Sequence, residues 1–216
     1  MELVIGNKNY SSWSLRPWLM LTHFDLDFEE TRIGLRQPRS HEFLAEHSPS
    51  SKVPVLVYKE LIIWESLAIC EYISEVHLNG KGWPQNTHDK AVARAYASEI
   101  HAGFQALRNE LPQNCRATRK VKLSEQAKHE INRVDGMWQD ALNRHDGHFL
   151  FGDFSIADCM FAPIASRFTT YGIDVSDTSQ AYIERILTLP SMQRWLEAAI
   201  AEPEVIAAFE VGTDRD

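Results

Sequence analysis

The feature that most constrains the fold is a change of hydrophobic period at the stretch "NGKGWPQNTHD", residues 79–89. Before this stretch, short apolar segments alternate with helical patterns; after it, the patterns are helical throughout. Gly, Pro, Asn and Thr are concentrated in it, as is typical of a linker. A mixed sheet followed by an all-helical half excludes a standard doubly wound fold. We therefore predict two domains, residues 1–78 and 90–216, joined by residues 79–89.

The apolar spacing predicts the order β-α-β-α-β-β-α for the first domain. Strands are expected at residues 3–5, 28–33, 53–57 and 61–63, and helices at residues 14–24, 40–47 and 65–78. The second domain is expected to contain helices at residues 90–111, 124–144, 155–171, 180–187 and 191–201. The fold class is thus α/β in the first domain and all-α in the second.

The charge balance limits the classes of partner. The chain has 22 Lys and Arg against 30 Asp and Glu, a net charge of −8, which disfavours nucleic acid and anionic membranes. No signal-like leader or long apolar run occurs, so we expect a cytoplasmic protein without a membrane partner. Cys70, Cys115 and Cys159 lie far apart and form no C-x-x-C, so reduced thiols are expected and no metal site.

The turn "NYSSWSLRPWL", residues 9–19, carries three serines between the first strand and the first helix. One serine as a helix cap would stabilise the protein by about 1 kcal/mol. Three hydroxyls exceed that need, and free N–H groups and the helix dipole at a helix start stabilise anions. The turn is therefore a candidate site for a thiolate or another anionic ligand atom.

Three further motifs have structural explanations when each is taken alone. Pro54 in "VPVL" can stop a strand, and Glu65-Ser66 in "ESLAI" can cap a helix. Ser155 and Asp158 in "FSIAD" have the spacing of a capping box, which nucleates a helix. None of them identifies a function by itself.

Together and in this order, the serine turn, Val-Pro, Glu-Ser and Ser-x-x-Asp motifs resemble a cytosolic glutathione transferase over nearly the whole chain. The "SSWSLR" turn is most similar to the zeta-class pattern, in which Cys stands at the position of Trp13. The resemblance implies a thioredoxin-like N-terminal domain that binds glutathione, a helical C-terminal domain that shapes the electrophile pocket, and a homodimer.

The resemblance also implies which residues bind glutathione. Ser11 matches the serine that faces the glutathione sulfur, with Ser12 as the alternative. The glutathione-binding residues would be Lys52, Val53, Pro54 in the cis form, Glu65 and Ser66. A hydrogen bond to the charged sulfur contributes roughly 1.5–3 kcal/mol, which lowers a thiol pKa of about 8.5 by about one to two units.

The expected function is transfer of the glutathione thiolate to an electrophilic, hydrophobic small molecule. The alternatives are a glutathione-dependent cis-trans isomerase of the maleylacetoacetate type and a non-catalytic binding module with the same fold. The turn lacks the cysteine that glutaredoxin-like thiol exchange requires.

Three other groups of residues are left without a catalytic role. The spacing of His145 and His148 suggests a surface turn, because further metal-binding donors are missing nearby. Arg167 and Tyr171 share a helical face. Arg167 is expected either to pack on the aromatic ring or, as the resemblance implies for an arginine on this helix, to be a cation of the electrophile site, and we leave it out of the catalytic residues. His101, Phe104 and Arg108 are expected either to face the cleft or to pack in the core.

Overall fold

The computed structural model describes residues 1–145 and 148–215. It confirms the predicted fold class, a small mixed sheet with helices followed by a helical half. The strands are β1 (Glu2–Ile5), β2 (Glu29–Arg32), β3 (Val55–Tyr58), β4 (Leu61–Trp64), β5 (Arg119–Lys120) and β6 (Thr213–Asp214). The helices are α1 (Ser12–His23), α2 (Ser40–His47), α3 (Ser66–His77), α4 (Thr87–Ala102), α5 (Gln105–Glu110), α6 (Glu125–Arg144), α7 (Ile156–Tyr171), α8 (Asp177–Thr188) and α9 (Pro190–Ala201).

The first four strands form one sheet in the order β2-β1-β3-β4. Strand β1 is parallel to β2 and antiparallel to β3, and β3 is antiparallel to β4, as in a thioredoxin-like domain. The apolar side chains of β1 and of the start of β3 are fully buried. These two strands are therefore the centre of the sheet.

Helix α1 is the most enclosed element of the first half. Ten of its twelve residues are buried, because it packs on α3 on one side and on α7 and α9 of the helical half on the other. Its first turn, which contains the serines, therefore lies at the junction of the two halves.

The boundary between the two halves differs in detail from the prediction. Helix α4 begins at Thr87, inside the expected linker, because the Asn86 side chain accepts hydrogen bonds from the backbone N–H groups of His88 and Asp89. The expected single helix over residues 90–111 is wrong. Phe104 has a left-handed backbone with φ of 63°, which separates α4 from α5.

No helix in residues 1–145 and 148–215 is long and apolar enough to cross a membrane.

The predicted capping box at the start of α7 is present. The buried Asp158 carboxylate accepts hydrogen bonds from Leu150 N, from Ser155 N and Oγ, and from the Tyr182 hydroxyl, at 2.9–3.1 Å. Burial raises the pKa of Asp158 to about 6, although these four hydrogen bonds act in the opposite direction. Asp158 thus joins α7, α8 and the preceding loop.

We expect Asp158→Ala to lower the free energy of unfolding by about 3–5 kcal/mol, because several buried donors lose their acceptor. Urea unfolding followed by circular dichroism measures the change. Asp153→Ala, at an exposed position in the loop that precedes α7, is the matched control and should change the free energy of unfolding by less than about 0.5 kcal/mol. Equal effects of the two variants would contradict the role given to Asp158.

Candidate active site

All of the expected glutathione-binding residues line one cavity. Its volume is about 310 Å³, and its lining consists of Trp13, Ser50, Lys52, Val53, Pro54, Glu65 and Ser66. The Val53–Pro54 peptide bond is cis, as the resemblance implies. The cavity therefore combines the start of α1, the entrance of β3 and the start of α3.

At the start of α3, the cavity has a carboxylate beside a hydroxyl. The Glu65 side chain is half exposed, whereas Ser66 is fully buried. The Ser66 hydroxyl accepts a hydrogen bond from Arg16 Nη1 at 3.2 Å. The Arg16 guanidinium is fully buried, and its Nε and Nη2 find no partner among the described residues. This end of the cavity can therefore bind both an ammonium, at Glu65, and a carboxylate, at Ser66 and the first N–H groups of α3.

The two candidate serines have different hydrogen-bond partners. Ser11 caps α1, because its Oγ accepts from Ser14 N at 3.4 Å and donates to Ser14 Oγ at 2.7 Å. The Ser14 hydroxyl in turn accepts from Gly6 N at 3.1 Å. The hydroxyl of Ser11 is thus used inside the turn.

Ser12 contacts the helical half instead. Its Oγ accepts a hydrogen bond from Arg167 Nη2 at 3.0 Å, and no acceptor for its own hydrogen lies in the described part of the chain. Arg167 is 4% exposed, and its Nε donates to the Leu111 carbonyl at 2.7 Å. Ser12 is therefore the serine whose hydroxyl can donate to a ligand between the two halves.

Tyr10 directly precedes these serines, but its hydroxyl is fully engaged elsewhere. It donates to Glu210 at 2.5 Å and accepts from Arg116 Nη2 at 2.8 Å and from Ile206 N at 3.2 Å. A phenol with two donors and one acceptor in place has no capacity left for a sulfur. The tyrosine is therefore not the group that activates a thiol here.

Three arginines surround Trp13 and Ser12 without a carboxylate partner. The guanidinium carbons of Arg16 and Arg108 lie 4.3 and 4.9 Å from the centre of the Trp13 ring. Arg108 donates to the carbonyls of Gly103 and Ile100. None of the three arginines makes a hydrogen bond to a carboxylate in residues 1–145 and 148–215.

Burial lowers the pKa of all three arginines, and repulsion from a neighbouring arginine adds to this effect for Arg16 and Arg167. Burial, with the charge of Arg108 as the next cause, lowers the pKa of Arg167 to about 9. Burial lowers the pKa of Arg108 to about 10 and that of Arg16 well below its ordinary value. Because the pKa values of Arg167 and Arg108 lie above 7, both side chains are cations at neutral pH. The cleft thus presents buried positive charge that an anionic ligand would offset.

His101 joins the cavity beside Trp13 to this cluster. Its Nε2 lies 3.4 Å from Glu65 Oε2, and its ring meets the edge of the Trp13 ring at 5.2 Å between centroids. Burial, followed by the charges of Arg16 and Arg108, lowers the pKa of His101, while Glu65 acts in the opposite direction. The imidazole is therefore neutral at pH 7.

The sequence interpretation gave Arg16, Arg108 and Arg167 no catalytic or glutathione-binding role. Arg16 is the last residue of the motif "SSWSLR", and His101 and Arg108 were expected either to face the cleft or to pack in the core. Arg167 shared a helical face with Tyr171, but periodicity could not show that this face meets Ser12, 155 residues away in sequence.

The expected surface turn between His145 and His148 falls partly on Asp146 and Gly147, which lie outside the described residues. Among the described residues, no group of three or more His, Cys, Asp and Glu side chains is arranged to hold a metal ion.

Two family models match the chain. The model for the glutathione S-transferase N-terminal domain matches residues 10–76, and the model for the C-terminal domain matches residues 89–198. These matches cover both halves that the change of period separates.

Individual relatives agree with the family models. The chain is 30% identical to a probable maleylacetoacetate isomerase of Caenorhabditis elegans, over 76% of this chain and 77% of that protein. It is 28% identical to glutathione S-transferase 1 of Dianthus caryophyllus, over 82% of this chain and 81% of the other. A glutathione transferase homolog from Burkholderia GL BGR1, solved with bound glutathione, superposes with a TM-score of 0.72 at 24% identity, covering 92% of this chain and 97% of that one. The last likeness concerns the fold alone.

Proposed function

The chain belongs to the glutathione S-transferase family, and on that premise we propose that it binds glutathione, stabilises its thiolate and adds the sulfur to an electrophilic carbon. One observation carries the proposal: the Ser12 hydroxyl accepts a hydrogen bond from Arg167, so its own hydrogen is available to donate to a ligand.

The cavity beside Trp13 suits the three parts of glutathione. Glu65 pairs with the γ-glutamyl ammonium, and Ser66, backed by Arg16, receives the γ-glutamyl carboxylate. The backbone of Val53 offers N–H and C=O groups to the cysteinyl residue, and the exposed Lys52 ammonium suits the glycyl carboxylate. This arrangement directs the sulfur towards the start of α1.

The start of α1 favours a negatively charged sulfur. The Ser12 hydroxyl donates to the thiolate, and the first N–H groups of α1 add a positive potential. Arg167 polarises the Ser12 hydroxyl and contributes a nearby positive charge in a buried environment, where screening by water is weak. The sequence interpretation placed Ser11 first; the hydrogen bonds favour Ser12 as the thiolate donor and Ser11 as the helix cap.

We expect Ser12→Ala to raise the thiol pKa of bound glutathione by about one unit and to lower kcat near pH 6.5 about tenfold. The affinity for glutathione should change little, since the other contacts remain. Thiolate absorbance followed against pH in the protein–glutathione complex gives the thiol pKa directly.

Ser11→Ala is the matched control for this experiment. It should lower protein stability by about 1 kcal/mol through loss of the cap and affect the thiol less than Ser12→Ala does. A larger shift of the thiol pKa in Ser11→Ala would assign the sulfur contact to Ser11. An unshifted thiol pKa in the wild-type complex would favour a non-catalytic binding module.

The arginine cluster supports a second candidate reaction, glutathione-dependent cis-trans isomerisation of an anionic substrate of the maleylacetoacetate type. The partly buried Arg108 and the buried Arg167 supply cations suited to carboxylates of the second substrate. In this reaction the thiolate adds to the conjugated cis double bond, the resulting single bond rotates, and the thiolate leaves with the trans double bond restored. Glutathione is therefore not consumed, in contrast to conjugation.

Arg108→Met distinguishes the two reactions. We expect KM for a dicarboxylate substrate to rise about tenfold, the loss of one charge-assisted contact, and KM for a neutral chloronitrobenzene to stay within twofold. Arg133→Met, which breaks the exposed ion pair with Glu99, is the control and should alter neither value. Equal KM values for wild type and Arg108→Met with the dicarboxylate would remove the support for the isomerase.

His101 predicts how glutathione binding depends on pH. Because its pKa is lowered, His101 becomes protonated only below its ordinary value of 6.5, and its charge then competes for Glu65 with the γ-glutamyl ammonium. Glutathione affinity in wild type should therefore fall as pH decreases below about 6.5. In His101→Gln this fall of glutathione affinity at low pH should disappear, as calorimetric titrations at several pH values would show. The same pH dependence of glutathione affinity in wild type and His101→Gln would refute the competition.

Two surface features support the remaining expectations. Leu61, Ile62 and Trp64 on β4 are each more than 40% exposed, which supports a homodimer that covers this strand. The three cysteines are free, which supports a reducing compartment such as the cytoplasm.

A further inference from the structure

The loop between β1 and α1 is held from outside by the end of the chain. Residues 202–215, here called the C-terminal strap, begin directly after α9 and cross back over the first half. The strap ends at β6, which pairs with β5, so both of its ends are fixed to the helical half. Its middle part contacts the residues that immediately precede the candidate serines.

Glu202 makes the most direct contact between the strap and this loop. Its Oε1 accepts from Lys8 N at 2.7 Å, and its Oε2 accepts from Asn9 N at 3.1 Å. The carboxylate is 9% exposed, and Arg32 Nη1 lies 3.6 Å from Oε1. Two successive backbone N–H groups in a loop that otherwise lacks strand pairing are thus satisfied by one carboxylate.

The strap also fixes the next residue of the loop through its side chain. The Tyr10 hydroxyl exchanges hydrogen bonds with Glu210 and with Ile206 N, and its ring packs on Phe209 at 5.6 Å between centroids. Arg116 reinforces the contact, because it donates to the Tyr10 hydroxyl and to the carbonyl of Glu202. Residues 8–10 are therefore held by both main-chain and side-chain contacts.

This restraint acts on the two serines that come next in the chain. Ser11 and Ser12 are adjacent to Tyr10, and the 3.0 Å contact of Ser12 with Arg167 depends on where the loop leaves β1. A carboxylate can accept from both N–H groups, whereas a carboxamide offers one acceptor and turns a donor towards the second N–H. Replacing Glu202 by Gln therefore removes one of the two hydrogen bonds to the loop while leaving the size of the side chain unchanged.

We propose that Glu202 is a positioning residue: by accepting from Lys8 N and Asn9 N, it fixes the β1–α1 loop so that the Ser12 hydroxyl stays within reach of both Arg167 and the glutathione sulfur. The claim that Glu202 fixes the loop stands by itself, whereas the effect on the glutathione sulfur rests on the proposed function. Glu202 does not line the cavity beside Trp13 and acts only through the loop.

The test compares Glu202→Gln with Glu110→Gln. Glu110 is the matched control, because its carboxylate also accepts two hydrogen bonds, from Ser124 N at 2.8 Å and Ser124 Oγ at 2.6 Å, but at the start of α6. We expect Glu202→Gln to raise the thiol pKa of bound glutathione and to lower kcat near pH 6.5 about fivefold to tenfold, with KM for glutathione changed less than twofold. Glu110→Gln should leave all three values unchanged.

Hydrogen exchange without glutathione gives a second readout that does not depend on the chemistry. Peptides covering residues 6–14 should exchange at least tenfold faster in Glu202→Gln than in wild type, while their exchange in Glu110→Gln stays at the wild-type rate. Wild-type exchange in Glu202→Gln, or a loss of kcat that Glu110→Gln shares in equal measure, would overturn the positioning role.

Failure of the proposed function gives a different result. If wild type leaves the glutathione thiol pKa unshifted, thiolate activation is wrong, and hydrogen exchange alone then decides whether Glu202 holds the loop. If Glu202→Gln does not fold, Glu202→Asp replaces it, since the shorter side chain keeps the charge but withdraws both oxygens from Lys8 N and Asn9 N. That variant should change exchange and thiol pKa in the same direction, and wild-type values for both would overturn the proposal.

Discussion

The enclosure of α1 is the constraint on which the other features depend. Because ten of its twelve residues are buried between α3 on one side and α7 and α9 on the other, the helix has no freedom to shift. Its first turn is therefore held where the two halves meet. A hydroxyl from one half and a guanidinium from the other can meet there with a fixed geometry, as Ser12 and Arg167 do. Such preorganisation is what a site needs to stabilise a charge that develops on a ligand.

The same junction concentrates arginines that make no hydrogen bond to a carboxylate in the described part of the chain. Buried cations without carboxylate partners cost free energy, since desolvation is not offset by an ion pair. Arg16, Arg108 and Arg167 share this property, and Arg16 has two nitrogen atoms without a partner in the described part of the chain. A protein retains such an arrangement where a ligand supplies the missing negative charge. Both candidate reactions provide one, because a thiolate or a second-substrate carboxylate would lie beside these groups.

Much of the fold could be predicted because it depends on local signals. Helix α2 has the predicted bounds, and Ser124 and the Ser155–Asp158 box start α6 and α7 as their spacing indicates. The break between α4 and α5 was missed, because the left-handed backbone of the buried Phe104 interrupts an otherwise helical pattern of apolar residues. In the site, five of the cavity-lining residues were predicted from their motifs: Lys52, Val53, Pro54, Glu65 and Ser66. The contacts of Tyr10 with Glu210 and of Ser12 with Arg167 were not, since they join residues more than 150 positions apart.

The sequence by itself determined the division into a mixed-sheet half and a helical half, most residues of the cavity beside Trp13 and the presence of hydroxyls at a helix start. These properties depend on period, capping and motif, which act over a few residues. Only the tertiary structure decided which serine can donate to a ligand, which arginines surround it and which part of the chain holds its loop. Each of these depends on the direction in which a side chain points after distant helices have packed, and a linear pattern contains no information about that direction.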